Sequence, residues 1–207
     1  MDGEQAGAPH RAWEAGARAR LIAAVIAEVA EAGYSRTSVA DICARSGVSP
    51  TVFEREFATK QACFLAACQA LADALIARVR ASLHGTRDWR DGVRAGLDAF
   101  LTHLAEHPAA ARACMVEGLA AGPEVLAIRD VAMRDFVDLF NAHAPTEAHR
   151  SELVSEASVG GVYGIVLRRI RDGDTGALPG LVSALAYFLL APVVGCPRAR
   201  LELAGSA

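Results

Sequence analysis

Lysine is almost missing from this chain: Lys60 stands alone, and the rest of the 21 basic residues are arginine. That bias reads as coding composition and carries no chemical meaning. Aromatics are also scarce, at 6%, while Ala and Leu dominate an apolar share of 53%. Few aromatic and β-branched residues argue against sheets and for helices. The net charge of −3 excludes binding to nucleic acid by bulk charge, and residues 10–60 carry a surplus of only one positive charge. Any DNA contact must therefore rest on local placement. Cys43, Cys63, Cys68, Cys114 and Cys196 form no CxxC pair, which excludes a disulfide framework and points to reduced, mostly buried thiols in the cytoplasm. The opening MDGEQAGAPH has neither a basic n-region nor an apolar core, so it reads as a flexible tail. The uncharged run 178–194 is shorter than a bilayer span and is broken by Pro179, Gly180 and Pro192. No membrane segment is expected, and no nucleophile–base spacing suggests an enzyme.

What remains is helical periodicity, with no sustained period-two alternation and no internal repeat. Leu21, Ile22, Val25, Ile26 and Val29 recur on one helical face, and Gly33 closes that helix. Ser38 and Asp41 make a capping pair for a second helix with Val39, Ile42 and Cys43 inward. Gly47 ends it, Val48 plugs the turn, and Ser49 with Pro50 opens a third helix. Thr59 caps a long fourth helix with Phe64, Cys68, Leu71, Leu75 and Val79 in a stripe. Further helices are expected over Val93–Leu104, through Cys114–Leu119, from Val125 to Phe140, over Leu153–Ile170 and over Leu178–Leu190. The expected fold is all-α, with a flexible tail at 1–12, a helix–turn–helix head at 13–60, a helical body of about nine helices in all through 61–195, and a tail at 196–207.

The segment Thr37–Lys60 carries most of the functional information. Two short helices joined at a glycine are how a protein seats one helix in the DNA major groove. With Phe53 and Phe57 turned inward, the opposite face presents Ser49, Pro50, Thr51, Val52, Glu54 and Arg55. Arg55 can reach a phosphate or a guanine edge, and Thr51 and Val52 a thymine methyl. Thr37, Ser38 and Lys60 sit at helix starts and are expected on the DNA backbone, where contacts set register rather than sequence. Spacing alone leaves open an ordinary helical turn with no such role.

Residues from about Arg18 to Phe64 resemble the N-terminal domain of the tetracycline-repressor (TetR) family. The matching positions are Ala30, Gly33-Tyr34, Thr37-Ser38-Val39, Asp41-Ile42, Gly47-Val48-Ser49, Phe57, Lys60 and Phe64. Looser matches downstream, Glu106-His107-Pro108, Val116-Glu117, Gly122-Pro123, Gly160-Gly161-Val162-Tyr163 and Tyr187-Phe188, resemble an actinobacterial branch. The resemblance implies a homodimer, a three-helix head that reads double-stranded operator DNA, and a helical body that binds a small effector. One departure matters. The family usually has tyrosine at the place of Glu54 and often histidine at Glu56, and two carboxylates facing a polyanion oppose binding. Glu54 can instead accept from a cytosine amine or pair with Arg55 or Arg36.

In the body, Phe100, His103, Leu104, Met115, Phe136 and Phe140 are candidates for an apolar pocket with Glu117 as a polar handle; core packing explains most of them equally well. His103 and His107 stand four apart, with Cys114 beyond, but no third ligand stands at a diagnostic distance, so neither metal nor cofactor is expected. Gly160, Gly161 and Gly164 with Leu167, Leu181, Leu185 and Phe188 suggest a dimer interface of two helices from each subunit; intrachain packing of the same helices is the alternative. The sequence thus reads as a ligand-responsive, dimeric DNA-binding regulator, most readily a repressor of a palindromic operator. Its rival is a small-molecule- or partner-binding protein of the same fold that binds DNA weakly or not at all.

Overall fold

A computed structural model of the chain describes residues 7–142, 144 and 152–204. Every regular element among the described residues is helical. The head begins with α1 (Gly7–Ala32), whose residues Leu21, Val25 and Val29 are fully buried. Their spacing of four keeps them on one face. Gly33 ends the helix at φ 87°, a left-handed value that a side chain would strain. A single 3-10 turn at Tyr34–Arg36 leads into α2 (Val39–Ser46), which starts with a complete capping box. The Ser38 hydroxyl accepts from the Asp41 amide, and the Asp41 carboxylate accepts from the Ser38 amide. Gly47 stops α2 in the αL region, φ 65°, where its amide reaches the Cys43 carbonyl. Ser49 then caps α3 (Pro50–Glu56), with Pro50 in the first turn, where its missing N–H costs nothing.

Thr59 caps α4 (Lys60–Ser82), the longest helix of the interior, by accepting from the Ala62 amide at 3.0 Å. The body continues with α5 (Trp89–Glu106), capped by Asp88, and α6 (Pro108–Ala111). A π-helical turn at Arg112–Val116 and a 3-10 turn at Glu117–Ala121 follow. The sequence suggested one short helix there. Then come α7 (Pro123–Ala142), α8 (Glu152–Arg171), a 3-10 segment at Thr175–Leu181 and α9 (Val182–Val194). The stretch expected as one helix from Leu178 is 3-10 as far as Leu181, with Pro179 inside it, and α-helical from Val182. Helix α4 packs between α1, α5 and α7, and α5 packs against α9. Both α4 and Thr175–Val194 are long and apolar enough to cross a bilayer, but Leu71, Leu75, Leu185 and Leu190 on them are buried in the body core.

Two findings differ from the expected boundaries. First, the stretch 196–204, expected as tail, forms α10 (Cys196–Ala199) and α11 (Leu201–Ala204). Ala199 is fully buried, and Glu202 pairs with Arg90 at 2.7 Å and Arg94 at 3.5 Å. At the other end, helix is described from Gly7 onward, inside the segment read as a tail. Second, position 60 is no packing boundary. The head core takes Cys63, Phe64, Ala67 and Cys68 from α4, and Ala113, Ala121 and Val125 from the body. Burying aromatics such as Phe53 (2% exposed) and Phe64 (0%) there stabilises the head by roughly 2–3 kcal/mol each.

Candidate DNA-reading head and effector cavity

On α3 the inward pair is as the spacing required: Phe53 and Phe57 are buried, with ring centroids 6.0 Å apart. Ser49, Pro50, Thr51, Glu54 and Arg55 are exposed on the other side, with Val52 half-buried. The two acidic residues differ. Glu54 is open to solvent, whereas the Glu56 side chain is only 16% exposed and lies 3.7 Å from the Arg55 guanidinium. One carboxylate, not two, therefore faces outward from this helix. Arg18 donates to the Glu56 carbonyl at 3.1 Å and lies 4.2 Å over the Phe57 ring. It caps the C-terminal end of α3, where a cation is favoured. Arg45, on α2, is held by Glu28 and Glu31 of α1, which raise its already high pKa.

Two residues expected on the DNA backbone have partners within the chain. Thr37 is 3% exposed, and its hydroxyl donates to the Gly33 carbonyl at 3.1 Å, so its side chain is packed inside the corner. Lys60 donates to the Tyr34 carbonyl at 2.9 Å and the Thr37 carbonyl at 2.8 Å, with its ammonium 4.2 Å from the centre of the Tyr34 ring. A charge at a helix start reads as a phosphate contact in the sequence. In the fold it ties α4 to the corner that precedes α2. Ser38 stays exposed, its hydroxyl committed to the capping box.

The body encloses a cavity of about 400 Å³ between α4, α5, α7 and α8, within the range of small-molecule sites. Its wall is overwhelmingly apolar. Of the residues expected there, Phe100, Met115, Phe136 and Phe140 line it, and Phe100 meets Phe136 edge-on at 5.4 Å. His103, Leu104 and Glu117 do not. Leu104 is fully buried in the body core, and His103 stacks on His107 at 4.4 Å. Glu117 pairs with Arg112 at 3.3 Å and lies against Gly33, at the joint of body and head. The sequence missed the polar elements of the wall. Arg129 is bound to Asp130 at 2.7 Å and lies near the Tyr163 phenol, which burial raises above its ordinary pKa. Trp89 donates its indole N–H to the Phe140 carbonyl at 3.1 Å. Tyr163 stood in a noted motif, but nothing in the spacing brought it to Arg129.

Four residues belong to both regions. Cys68 and Val125 are buried in the head core, Cys114 and Ile128 pack against it, and all four line the cavity. A hydrogen bond with Cys68, then burial, pushes the Cys114 thiol well above the usual thiol range. Gln61 strengthens the same joint by donating to the Ala121 carbonyl at 3.0 Å and the Glu124 carboxylate at 3.1 Å.

The expected dimer residues are only partly outward. Leu185 is buried in its own chain's core, because α9 turns that face toward α5. A Cβ on Gly161 would meet the ring of Phe188 at 2.9 Å, so this glycine admits a neighbour from the same chain. Gly160 and Gly164 face open space, Leu167 and Leu181 are half-buried, and Phe188 is 41% exposed.

Residues 21–67 match the family model described as bacterial regulatory proteins, tetR family. The chain carries a TetR-family head. A curated relative, the HTH-type transcriptional activator FasR of Mycolicibacterium smegmatis, is 29% identical over 142 residues. That match spans 67% of this chain and 65% of FasR, just under two thirds of the relative's length. Among solved structures, the fatty acid degradation regulator FadR from Bacillus halodurans superposes with a TM-score of 0.74 at 16% identity, covering 84% of this chain and 94% of that one. FadR from Bacillus subtilis in complex with stearoyl-CoA gives 0.72 at 14% identity, covering 86% and 98%. These structures share the whole helical fold, body included. The family match covers the head, and the likeness of the body to these structures is one of fold.

Proposed function

We propose that this TetR-family regulator is a cytoplasmic homodimer that binds a palindromic operator through α3 and releases it when an effector fills the body cavity. Repression is the simplest output of such a switch. The observation that carries the reading is the sharing of Cys68, Cys114, Val125 and Ile128 between the cavity wall and the head core. An effector that reaches this part of the wall touches residues on which the head packs. It biases the head only insofar as it binds one arrangement better than the other. Operator half-sites about one duplex turn apart, roughly 34–36 Å, require a defined separation of the two α3 helices.

The cavity chemistry favours a long apolar chain with an anionic end. Its wall is apolar over most of its extent, and Arg129 with Tyr163 supplies a polar end. FadR from Bacillus subtilis holds stearoyl-CoA in the same fold, which supports a fatty acyl thioester as the effector class. The dimer would form across the outer face of α8 and α9, where Gly160, Gly164 and Phe188 lie open.

The second reading, loss of operator affinity, rests on Glu54, which lies open at the middle of α3. Gel-shift titration against the DNA upstream of the protein's own gene, at two salt concentrations, separates the two. The regulator gives a specific complex whose affinity falls steeply with salt. Absence of binding even at low salt supports the rival.

A further inference from the structure

We propose that His103 and Glu106, on the last turn of α5, and His107, which follows it, form a binding site for a divalent transition-metal ion of the zinc class. One ligand atom from each side chain can be chosen so that all three lie within 4.8 Å of one another. Positions i, i+3 and i+4 share one face of a helix, and two imidazoles with a carboxylate are a donor set that zinc, nickel and cobalt accept. The His103–His107 pair by itself lacks a third ligand. Glu106, three residues after His103, is that ligand.

Independent features prepare the site. The Nδ1 of His107 lies 2.9 Å from the His103 carbonyl. An N–H donated there fixes the tautomer and leaves Nε2 with a bare lone pair, the usual arrangement of a metal-binding histidine. His103 is 8% exposed, and its Nδ1 is buried with no hydrogen-bond partner. An orphaned polar atom at such depth is rare unless something fills the need. The site also sits at the C-terminal end of an 18-residue helix, where the backbone dipole favours a cation.

The competitor is on the page as well. Arg78 of α4 holds the Glu106 carboxylate at 3.0 Å. A dication must take that carboxylate from a guanidinium, so metal binding and the α4–α5 ion pair exclude one another. Three protein ligands leave the remaining positions to water.

Cobalt(II) titration of the full-length protein, kept reduced, tests the site. One ion per chain should bind with visible d–d bands and no sulfur-to-cobalt charge transfer, and zinc should displace it. His107 is exposed, so His107→Ala keeps the fold, checked by circular dichroism, and should weaken binding at least about tenfold. Arg78→Ala should tighten it several-fold by releasing Glu106. Unchanged affinity in His107→Ala, unchanged or weaker binding in Arg78→Ala, or a thiolate charge-transfer band would each overturn the proposal.

Discussion

Head and body share one helix and differ in how they are held. The head is tied at its corners by specific polar contacts: the Ser38–Asp41 box, the Thr37 hydroxyl on Gly33, and Lys60 across the Tyr34 and Thr37 carbonyls. Its interior is filled by Phe53, Phe57 and Phe64. The body surrounds a cavity of about 400 Å³ with apolar side chains from helices far apart in sequence. A void has no partner atoms on one side, so its walls give up contacts that a filled core would keep. The head is thus built to hold one geometry. The body leaves a space unfilled, and α4 runs through both.

Substitution should break this contrast most strongly in the aromatic cores. Phe64→Ala, in the fully packed head, should cost roughly 3–5 kcal/mol in urea unfolding. Phe136→Ala, at the edge of the existing cavity, should cost distinctly less, because the removed ring already faces empty space on one side. Equal losses would mean that the cavity wall is packed as tightly as the head.

Next in size is Lys60→Ala. Loss of two charge-assisted hydrogen bonds should cost about 2 kcal/mol, while the salt dependence of DNA binding stays nearly as it was. A shallower salt slope with unchanged stability would restore Lys60 to the phosphate backbone. Ser38→Ala should cost about 1 kcal/mol through loss of the N-cap. The carboxylate half of that box has a sign in pH. Hydrogen bonds from the Ser38 hydroxyl and amide lower the Asp41 pKa. Its contribution is present above the ordinary carboxylate range and is lost as pH falls through the lowered value. Thermal melts of wild type and Asp41→Asn should therefore converge in acid. Divergence there would place the stabilisation elsewhere.

The smallest effects are in thiol chemistry. Cys196 is exposed, whereas burial pushes the Cys63 thiol up to about 12. Iodoacetamide at neutral pH should label Cys196 first and leave Cys63 unmodified in the native protein. Early labelling of Cys63 would show that the head opens readily.

The same contrast explains what could be read from the sequence. The head's elements are announced locally: Gly33 and Gly47 stop helices, Ser38, Ser49 and Thr59 start them, and Phe53 and Phe57 sit four apart. Placement of α2, α3 and α4 followed from those signals. Roles that depend on distant partners did not. Lys60 carries a charge whose sequence position says nothing of the two carbonyls it meets, and Glu56 shows no sign of folding back toward Arg55. In the body, Phe100, Met115, Phe136 and Phe140 were legible as apolar positions lining something. The meeting of Arg129 with Tyr163, and of Cys68 with Cys114, depends on how α4, α7, α8 and the π-helical turn pack. Leu185 failed as an interface residue for the same reason: the face that an uncharged helix buries cannot be told from its composition.

The central claim is that occupancy of the cavity is felt by the head. Its most direct test is operator affinity with and without stearoyl-CoA, in wild type and in Ala132→Leu, which fills part of the cavity wall. In wild type, saturating ligand should change affinity for the upstream DNA by at least about fivefold, and the filled variant should lose that response while still binding DNA. An unchanged wild-type affinity at saturation, or an equal response in both proteins, would contradict the coupling of cavity to head.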